Sequence, residues 1–136
     1  MIRYNERIKP LMQKTIAHLE RLGNNPQGPV LSLKLDKLPI RTLFDTGNLF
    51  ETVMSEEFVN KLPREKRHLV PLEDDAKIVP TAKTGSGMMI VGRLEKPITL
   101  TLQSGGISLM LWPVVLRGLT TPLNVSYKTM EEKGMF

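Results

Sequence analysis

The sequence offers one carboxylate at a position where it could do chemistry. An apolar segment, Leu43-Phe44, runs directly into Asp45, and Thr46 and Gly47 follow before the chain turns. A strand that ends in a carboxyl group at a turn places that group at the edge of a sheet, where it can meet a second group. The same triplet also fits an ordinary Asx turn after a strand, so its surroundings must decide between the two.

Peptide hydrolysis by carboxyl groups requires two of them close together, one accepting a proton from water and the other polarising the scissile carbonyl. The sequence contains no second Asp-Thr-Gly or Asp-Ser-Gly. Asp36 is predicted to lie in a turn, and Asp74 and Asp75 lie in a polar segment, so none of them ends an apolar strand. The partner of Asp45 is therefore predicted to be Asp45 of a second copy of the chain, across a two-fold axis.

The composition is that of one globular domain with a modest core. The chain has 136 residues, of which 40% are hydrophobic and 24% charged. The absence of cysteine excludes disulfides, thiolate metal sites and a cysteine nucleophile. We predict that both histidines, His18 and His68, are solvated at the surface, and we expect no metal and no cofactor.

The charge pattern gives little reason to expect nucleic acid or a membrane as a partner. The formal net charge is +5, and basic residues gather at 61–67, but no aromatic residues interleave them. The longest apolar run, 107–116, is too short to span a bilayer, and we see no signal peptide at the N-terminus.

Residues 1–28 are predicted to form a helical extension and a linker. Apolar residues recur there at spacings of three and four and form one stripe: Ile8, Leu11, Met12, Ile16, Leu19 and Leu22. Pro10 favours a helix that starts near Lys9, and Gly23 would end it. The stripe must cover either the rest of the domain or a partner chain.

From Val30 the apolar period changes to two, which predicts strands. A hairpin with its turn at Asp36-Lys37 would deliver Asp45 on its return strand. The further predicted elements are a helix over 55–62 with Ser55 as N-cap, a polar loop over 63–79, a hairpin over 82–92 with a glycine-rich tip, a hairpin over 94–111, a buried strand over 112–116, and a helix over 127–133 capped by Ser126 and closed by Gly134.

Several of these segments together resemble the retropepsin family, the homodimeric aspartic proteases of retroviruses and LTR retrotransposons, with the LTR-retrotransposon branch most similar. The resemblance spans residues 29–134. The segments that carry it, in chain order, are Leu43-Phe44-Asp45-Thr46-Gly47, Val53-Met54-Ser55-Glu56-Glu57-Phe58, Thr84-Gly85-Ser86-Gly87, Ile90-Val91-Gly92 and Val114-Val115-Leu116-Arg117-Gly118-Leu119.

The resemblance implies a mostly β fold, a closed β-barrel or sandwich of the acid-protease type over residues 29–136. Each chain would supply one lobe, with a short C-terminal helix and, here, the N-terminal helical extension. It also implies an aspartic endopeptidase that is active as a homodimer on polypeptide substrates. Such an enzyme would process a retrovirus-like or retrotransposon-like polyprotein, in the cytoplasm or in an intracellular virus-like particle.

The family assigns roles by position. Asp45 would be the catalytic residue, Thr46 would hydrogen-bond across the dimer, and Gly47 would offer its backbone carbonyl to the substrate. Residues 84–89 would form a flap over the bound peptide. The residues implied to contact substrate are Asn48, Gly85, Ser86, Gly87, Met88, Leu123 and Val125.

The chain departs from the family pattern behind the site. Ser126 stands where the family usually has a glycine before its last helix. Retroviral members pair an acid two residues after Asp-Thr-Gly with an arginine that opens that helix, whereas this chain has Leu49 and Tyr127-Lys128. Two alternatives therefore stay open: a host protease domain of the Ddi1 type, and a decayed, non-catalytic dimerisation or peptide-binding module.

Overall fold

A computed structural model of the chain describes residues 4–22, 28–70, 88–102 and 108–135. The chain is mostly β, with a helix at each end of the described sequence. The elements are α1 (Tyr4–Leu22), β1 (Val30–Leu35), β2 (Leu38–Asp45), β3 (Val53–Ser55), α2 (Glu56–Val59), a 3₁₀ turn (Arg64–Lys66), β4 (Leu69–Val70), β5 (Met89–Leu94), β6 (Ile98–Leu102), β7 (Ser108–Leu111), β8 (Val114–Arg117), β9 (Leu123–Ser126) and α3 (Tyr127–Glu132).

Within the described residues the strands form one sheet in the order β4-β5-β8-β3-β9-β2-β1-β6-β7. Most neighbours are antiparallel, but β2 runs parallel to β9, and β3 runs parallel to β8. The parallel register places Asp45 opposite Ser126. Two segments that are distant in sequence therefore end side by side near the middle of the sheet.

The hairpin that leads to Asp45 is confirmed as predicted. β1 and β2 pair from Leu35 opposite Leu38 to Val30 opposite Leu43. Asp36, in the two-residue turn, takes a φ of 56°, which aspartate tolerates better than most residues. From Thr42 onward every residue of β2 is buried, because β1 and β9 flank the strand and both of its faces are covered.

The interior consists of two groups of apolar side chains. The main core joins the hairpins, α2 and α3, and contains Leu33, Leu35, Ile40, Phe44, Met54, Phe58, Val59, Leu62, Leu94, Ile98, Leu100, Leu111, Val115, Leu123, Val125 and Met130. The second group, which we call the α1-covered cluster, consists of Met12, Ile16 and Leu19 of α1 packed on Val53, Ile90, Val114, Leu116 and Leu119, with Met88 at its margin. The predicted stripe of α1 therefore covers the protein's own domain.

Three predicted elements differ from the observed ones. The helix α1 starts at Tyr4 and contains Pro10, although proline removes a backbone donor, and the burial of its stripe favours the helix despite this loss. The helix α2 is only four residues long, and the side chain of Ser55 makes no cap hydrogen bond, since Ser55 also ends β3 and is buried there. Trp112 is not in a buried strand: it precedes β8 and is 49% exposed.

The ion pair between Glu56 and Arg117 ties α2 to β8 and should make stability depend on pH. Arg117 donates from Nε to Glu56 Oε1 (2.8 Å) and from a terminal nitrogen to Oε2 (3.1 Å). These hydrogen bonds lower the pKa of the Glu56 carboxyl below its usual 4.5. The pair therefore stabilises the fold above about pH 4.5, and this contribution is lost as the pH falls through the lower folded pKa.

We expect Glu56→Gln to lower the melting temperature slightly at neutral pH and to have no effect in acid, where the parent has lost the same pair. Melting curves of both proteins from pH 7 down to about pH 3 measure this. Glu57→Gln, in the same turn, is the matched control. The prediction would be contradicted if the difference in melting temperature between the parent and Glu56→Gln stayed constant across this pH range.

Candidate active site

Asp45 is fully buried and one of its oxygens is held by its own turn. Oδ1 accepts hydrogen bonds from the backbone N–H of Gly47 (3.0 Å) and of Asn48 (3.2 Å), and the N–H of Asn48 also donates to the Asp45 carbonyl (3.0 Å). These contacts fix the orientation of the carboxyl group. The turn is thus an Asx turn, and it points the second oxygen, Oδ2, away from the backbone donors.

His18 contacts that second oxygen, and its predicted position at the surface is wrong. Nε2 of His18 lies 2.8 Å from Asp45 Oδ2, and the histidine is only 6% exposed. The helix α1 brings it there because His18 lies beside the apolar stripe, next to Leu19 and three residues after the buried Thr15. The sequence did contain a signal of this burial: Thr15 and His18 are polar, lie three residues apart and both adjoin the apolar stripe. His68 is exposed, as predicted.

Asn124 of β9 is the second side chain at Oδ2. Its Nδ2 donates to Asp45 Oδ2 (2.9 Å), and its Oδ1 accepts from Nδ2 of Asn48 (3.0 Å). Leu123 and Val125, which the resemblance placed in a substrate pocket, instead lie fully buried in the main core. Successive residues of a strand face opposite sides, so the residue of β9 that faces Asp45 is the one between them.

Asn48, implied as a substrate contact, is buried and braces the loop after Asp45. Its Nδ2 donates to the Glu51 carbonyl (2.9 Å) as well as to Asn124, and its Oδ1 accepts from the N–H of Phe50 (3.1 Å). A buried amide that is satisfied on both sides rigidifies its surroundings. Asn48 therefore links the Asp45 turn to β9 within a single polar network.

Ser126, which replaces the usual glycine, is accommodated by a cluster of three hydroxyl groups. Its Oγ accepts from the N–H of Thr129 (3.2 Å), so the predicted cap of the last helix is confirmed. The hydroxyls of Ser126 and Thr129 lie 3.0 Å apart, and Thr52 Oγ1 lies 2.8 Å from that of Thr129. Thr52 Oγ1 also accepts from the N–H of Ser126 (3.0 Å). The larger side chain thus joins β9, α3 and the segment before β3.

An acid–base pair behind the site is present at positions that sequence comparison missed. Glu51 Oε1 lies 3.6 Å from Lys128 Nζ, and its Oε2 lies 3.8 Å from a terminal nitrogen of Arg93. Leu49 and Tyr127 occupy the positions at which retroviral members carry their acid and arginine, and Leu49 is exposed. Glu51 lies two residues after Leu49 in the loop, and Lys128 lies one residue after Tyr127 in the helix. The ion pair between Glu51 and Lys128 therefore still links the loop to the helix.

Thr46 lies on the other side of the turn, at an apolar groove. The side chain of Thr46 is exposed and Gly47 is half-buried. The groove has a volume of about 620 Å³, and the residues that line it are Pro29, Leu31, Leu33, Phe44, Thr46, Leu100, Thr101, Leu102, Leu109, Met130, Lys133, Gly134 and Met135. Leu31 and Met135, which both line the groove, are each 43% exposed, so the groove presents large apolar side chains to solvent.

Part of the implied flap lies outside the described residues. Gly85, Ser86 and Gly87 fall in that part of the chain, and Met88 is half-buried against the α1-covered cluster.

The described ranges contain no group of three or more His, Asp or Glu side chains placed to hold a metal ion. Nor do they contain a helix that is long and apolar enough to cross a membrane.

Comparison with solved structures identifies the fold. No protein-family model matches the chain, and no curated protein matches it by sequence. The retroviral protease-like domain of Ddi1 from Leishmania major superposes with a TM-score of 0.53 at 12% identity, over 76% of this chain and 74% of that one. The EIAV protease, in complex with an inhibitor, superposes with a TM-score of 0.53 at 14% identity, over 82% of this chain and 92% of that one. A mostly β chain with a curled sheet, a short C-terminal helix and these two matches has the retropepsin-like aspartic protease fold.

Proposed function

We propose that the protein is an aspartic endopeptidase that is active as a homodimer, with one Asp45 from each chain. The observation that carries the proposal is the placement of Asp45: it ends a central strand of a retropepsin-like fold, and two backbone N–H groups orient its carboxyl. Carboxyl groups held in this way need no metal to hydrolyse a peptide bond, because together they supply both a base and an acid.

The chemistry requires both carboxyl groups to share one proton. The ionised group accepts a proton from water as the water oxygen attacks the scissile carbonyl carbon, and the protonated group donates its proton to the carbonyl oxygen. The first carboxyl group, now protonated, then donates its proton to the amide nitrogen. The C–N bond breaks, and a hydroxyl of the diol gives its proton to the ionised carboxylate as the C=O bond forms, so the pair again holds one shared proton. Gly47 would offer its carbonyl to the substrate backbone.

The second carboxyl group is best supplied by another copy of the chain. Among the described residues Asp45 is the only buried aspartate. Thr46, which would hydrogen-bond to its counterpart, lies at an apolar groove whose rim exposes Leu31, Leu102 and Met135. A self-complementary apolar face beside the catalytic turn is what a two-fold interface needs. We place the substrate in the class of retrovirus-like or retrotransposon-like polyproteins, processed inside the cell.

The test is a peptidase assay on a mixture of unstructured peptides across a range of protein concentrations. We expect the rate to rise more steeply than linearly with concentration when the protein is dilute, to be greatest on the acidic side of neutrality, and to be blocked by an inhibitor that mimics the tetrahedral transition state. Sedimentation on the same samples gives the dimer fraction. Cleavage that scales linearly at all concentrations and ignores the inhibitor would overturn the proposal.

Two other functions each have an observation in their favour. The match to the Leishmania major Ddi1 domain favours a host protease domain of that type, and a downstream reverse transcriptase in the same reading frame would decide against it. The complete enclosure of Asp45 favours a non-catalytic peptide-binding or dimerisation module. That module would leave the mixed peptides intact even when Asp45 has been uncovered.

A further inference from the structure

We propose that α1 is a built-in inhibitor: it fills the cleft of its own chain, and its His18 contacts Oδ2 of Asp45, the oxygen that the N–H groups of the Asp45 turn do not bind. The inference rests on the proposed protease function and concerns the regulation of the same site. Three independent features carry it. They are the contact at the carboxyl group, the apolar stripe in the cleft, and the capture of a backbone donor at the cleft edge.

The contact at the carboxyl group removes the atom that catalysis needs. Oδ1 of Asp45 is bound by the N–H groups of its own turn, so Oδ2 is the oxygen left for water or for a second carboxyl group. His18 Nε2 lies 2.8 Å from that oxygen, and Asn124 donates to it from the side. With both neighbours in place Asp45 has no exposed surface. Neither water nor another chain can reach it while α1 is docked.

The apolar stripe fills the space next to Asp45. Met12, Ile16 and Leu19 follow one another at spacings of four and three, and all three are buried. The residues beneath them come from β3, β5, β8 and the loop before β9, and are Val53, Ile90, Val114, Leu116 and Leu119. Removing α1 would expose this apolar surface beside the carboxyl group, where the side chains of a bound peptide would otherwise lie.

A backbone donor at the edge of the cleft is also taken. The N–H of Glu51, in the loop that follows Asp45, donates to Thr15 Oγ1 of α1 (3.2 Å). An extended peptide binds a cleft through backbone donors of this kind. Thr15 lies one helical turn before His18, so a single face of α1 satisfies the donor, the carboxyl group and the apolar wall together.

The helical conformation explains why α1 would be an inhibitor and not a substrate. The peptide groups of a helix bond to one another, so their carbonyls are not presented to a nucleophile as those of an extended chain are. The described part of α1 spans 19 residues without a break. Cleavage would require several turns to unfold while they remain in the cleft.

The experiment uses the whole 136-residue chain and two substitutions that weaken the docking of α1 in different ways. His18→Ala removes the contact with Asp45, and Ile16→Asp places a charge in the apolar stripe. The matched controls are His68→Ala, which removes the exposed histidine, and Ala17→Asp, which places the same charge on the exposed side of the same helix. Circular dichroism verifies that each variant is folded, and if Ile16→Asp fails to fold, His18→Ala carries the test.

Two readouts separate the failure of this inference from the failure of the proposed function. The chain has two histidines, so ring proton NMR resolves His18 from His68. Asp45→Asn should shift the His18 signals and leave those of His68 unchanged. In the peptidase assay, each docking variant should exceed the parent and both controls by about tenfold, the size expected when the docked helix loses one buried hydrogen bond or one buried apolar contact.

Each outcome decides the question. A His18 shift together with raised activity in both docking variants supports inhibition by α1. Activity that is equal in the parent and the docking variants overturns the inhibition and leaves the protease standing. Unchanged His18 signals in Asp45→Asn also overturn it, because the contact would then be absent in solution. A complete lack of peptidase activity in every variant, including those that uncover Asp45, overturns the proposed function and the inhibition with it.

Discussion

Replacing Asp45 with asparagine is expected to lower peptidase activity on the order of 10⁴-fold or more, because the shared proton of the proposed carboxyl pair has no counterpart in an amide. The measurement belongs in the His18→Ala background as well as in the parent, so that coverage by α1 does not hide the effect. Asp36→Asn is the matched control, since Asp36 lies in an exposed turn at positive φ, a conformation that asparagine also adopts. Activity that survives Asp45→Asn at the parent level would exclude Asp45 as the catalytic group.

The same substitution should also destabilise the fold, which separates it from a purely catalytic change. Two backbone N–H groups, His18 and Asn124 all surround the Asp45 carboxyl, which can accept from each of them. An amide turns its Nδ2 either toward the donating Nδ2 of Asn124 or toward the two backbone N–H groups, and so leaves at least one buried polar group unsatisfied. We expect a loss of about 1–3 kcal/mol in the free energy of unfolding, measured by urea denaturation. No comparable loss is expected for Asp36→Asn.

Gly28→Ala should lower the free energy of unfolding more than a substitution at an ordinary exposed position does. Gly28 has a φ of +151°, and a Cβ at this position would lie 1.9 Å from the backbone oxygen of Phe44. Because the obstructing atom belongs to the backbone of β2, no side-chain rotation relieves the contact, and the backbone at Gly28 or at Phe44 must shift. We expect a loss of more than about 3 kcal/mol in the free energy of unfolding, above the usual cost of one strained residue. The movement would also displace Asp45, which follows Phe44 directly.

Gly134→Ala is the matched control for this prediction. Gly134 also has a positive φ, +68°, but no atom lies within 4 Å of the position that a Cβ would take. Its substitution should therefore lower the free energy of unfolding only by the cost of placing alanine at a positive φ, about 1–2 kcal/mol. Equal losses in the two variants would show that the close approach to Phe44 contributes nothing. Urea denaturation at one protein concentration measures both, since a dimer makes stability depend on concentration.

Elements with a strong local pattern were predictable from the sequence. The hairpin that delivers Asp45 follows from alternation of period two on both sides of an Asp36-Lys37 turn, and its turn and its strand ends are found where they were expected. The cap of the last helix follows from Ser126 at the start of a short helical pattern. These features depend on neighbours in sequence, so the sequence contains the information that decides them.

The site was predicted less completely, because its partners come from distant segments. The stripe of α1 showed that the helix needed a surface to cover, but not which surface, and so His18 was placed in solvent. At Leu123 and Val125 the strand period decides the outcome: the alternation Leu123-Asn124-Val125-Ser126 places Asn124 on the face opposite the two apolar residues, but the sequence does not say which face meets Asp45. Glu51 was missed because the two charges of an ion pair can both occupy different positions along the chain and still meet, as Glu51 and Lys128 do.

The separations in sequence around Asp45 also set an order of assembly. Its contact with His18 closes a span of 27 residues, and its contact with Asn124 closes one of 79. Closing the longer span costs about 1 kcal/mol more in chain entropy. The helix α1, however, packs on Ile90 of β5 and on Val114 and Leu116 of β8, so His18 docks only after these strands are in place. The carboxyl group is therefore covered late, once strands that are distant in sequence have paired around it.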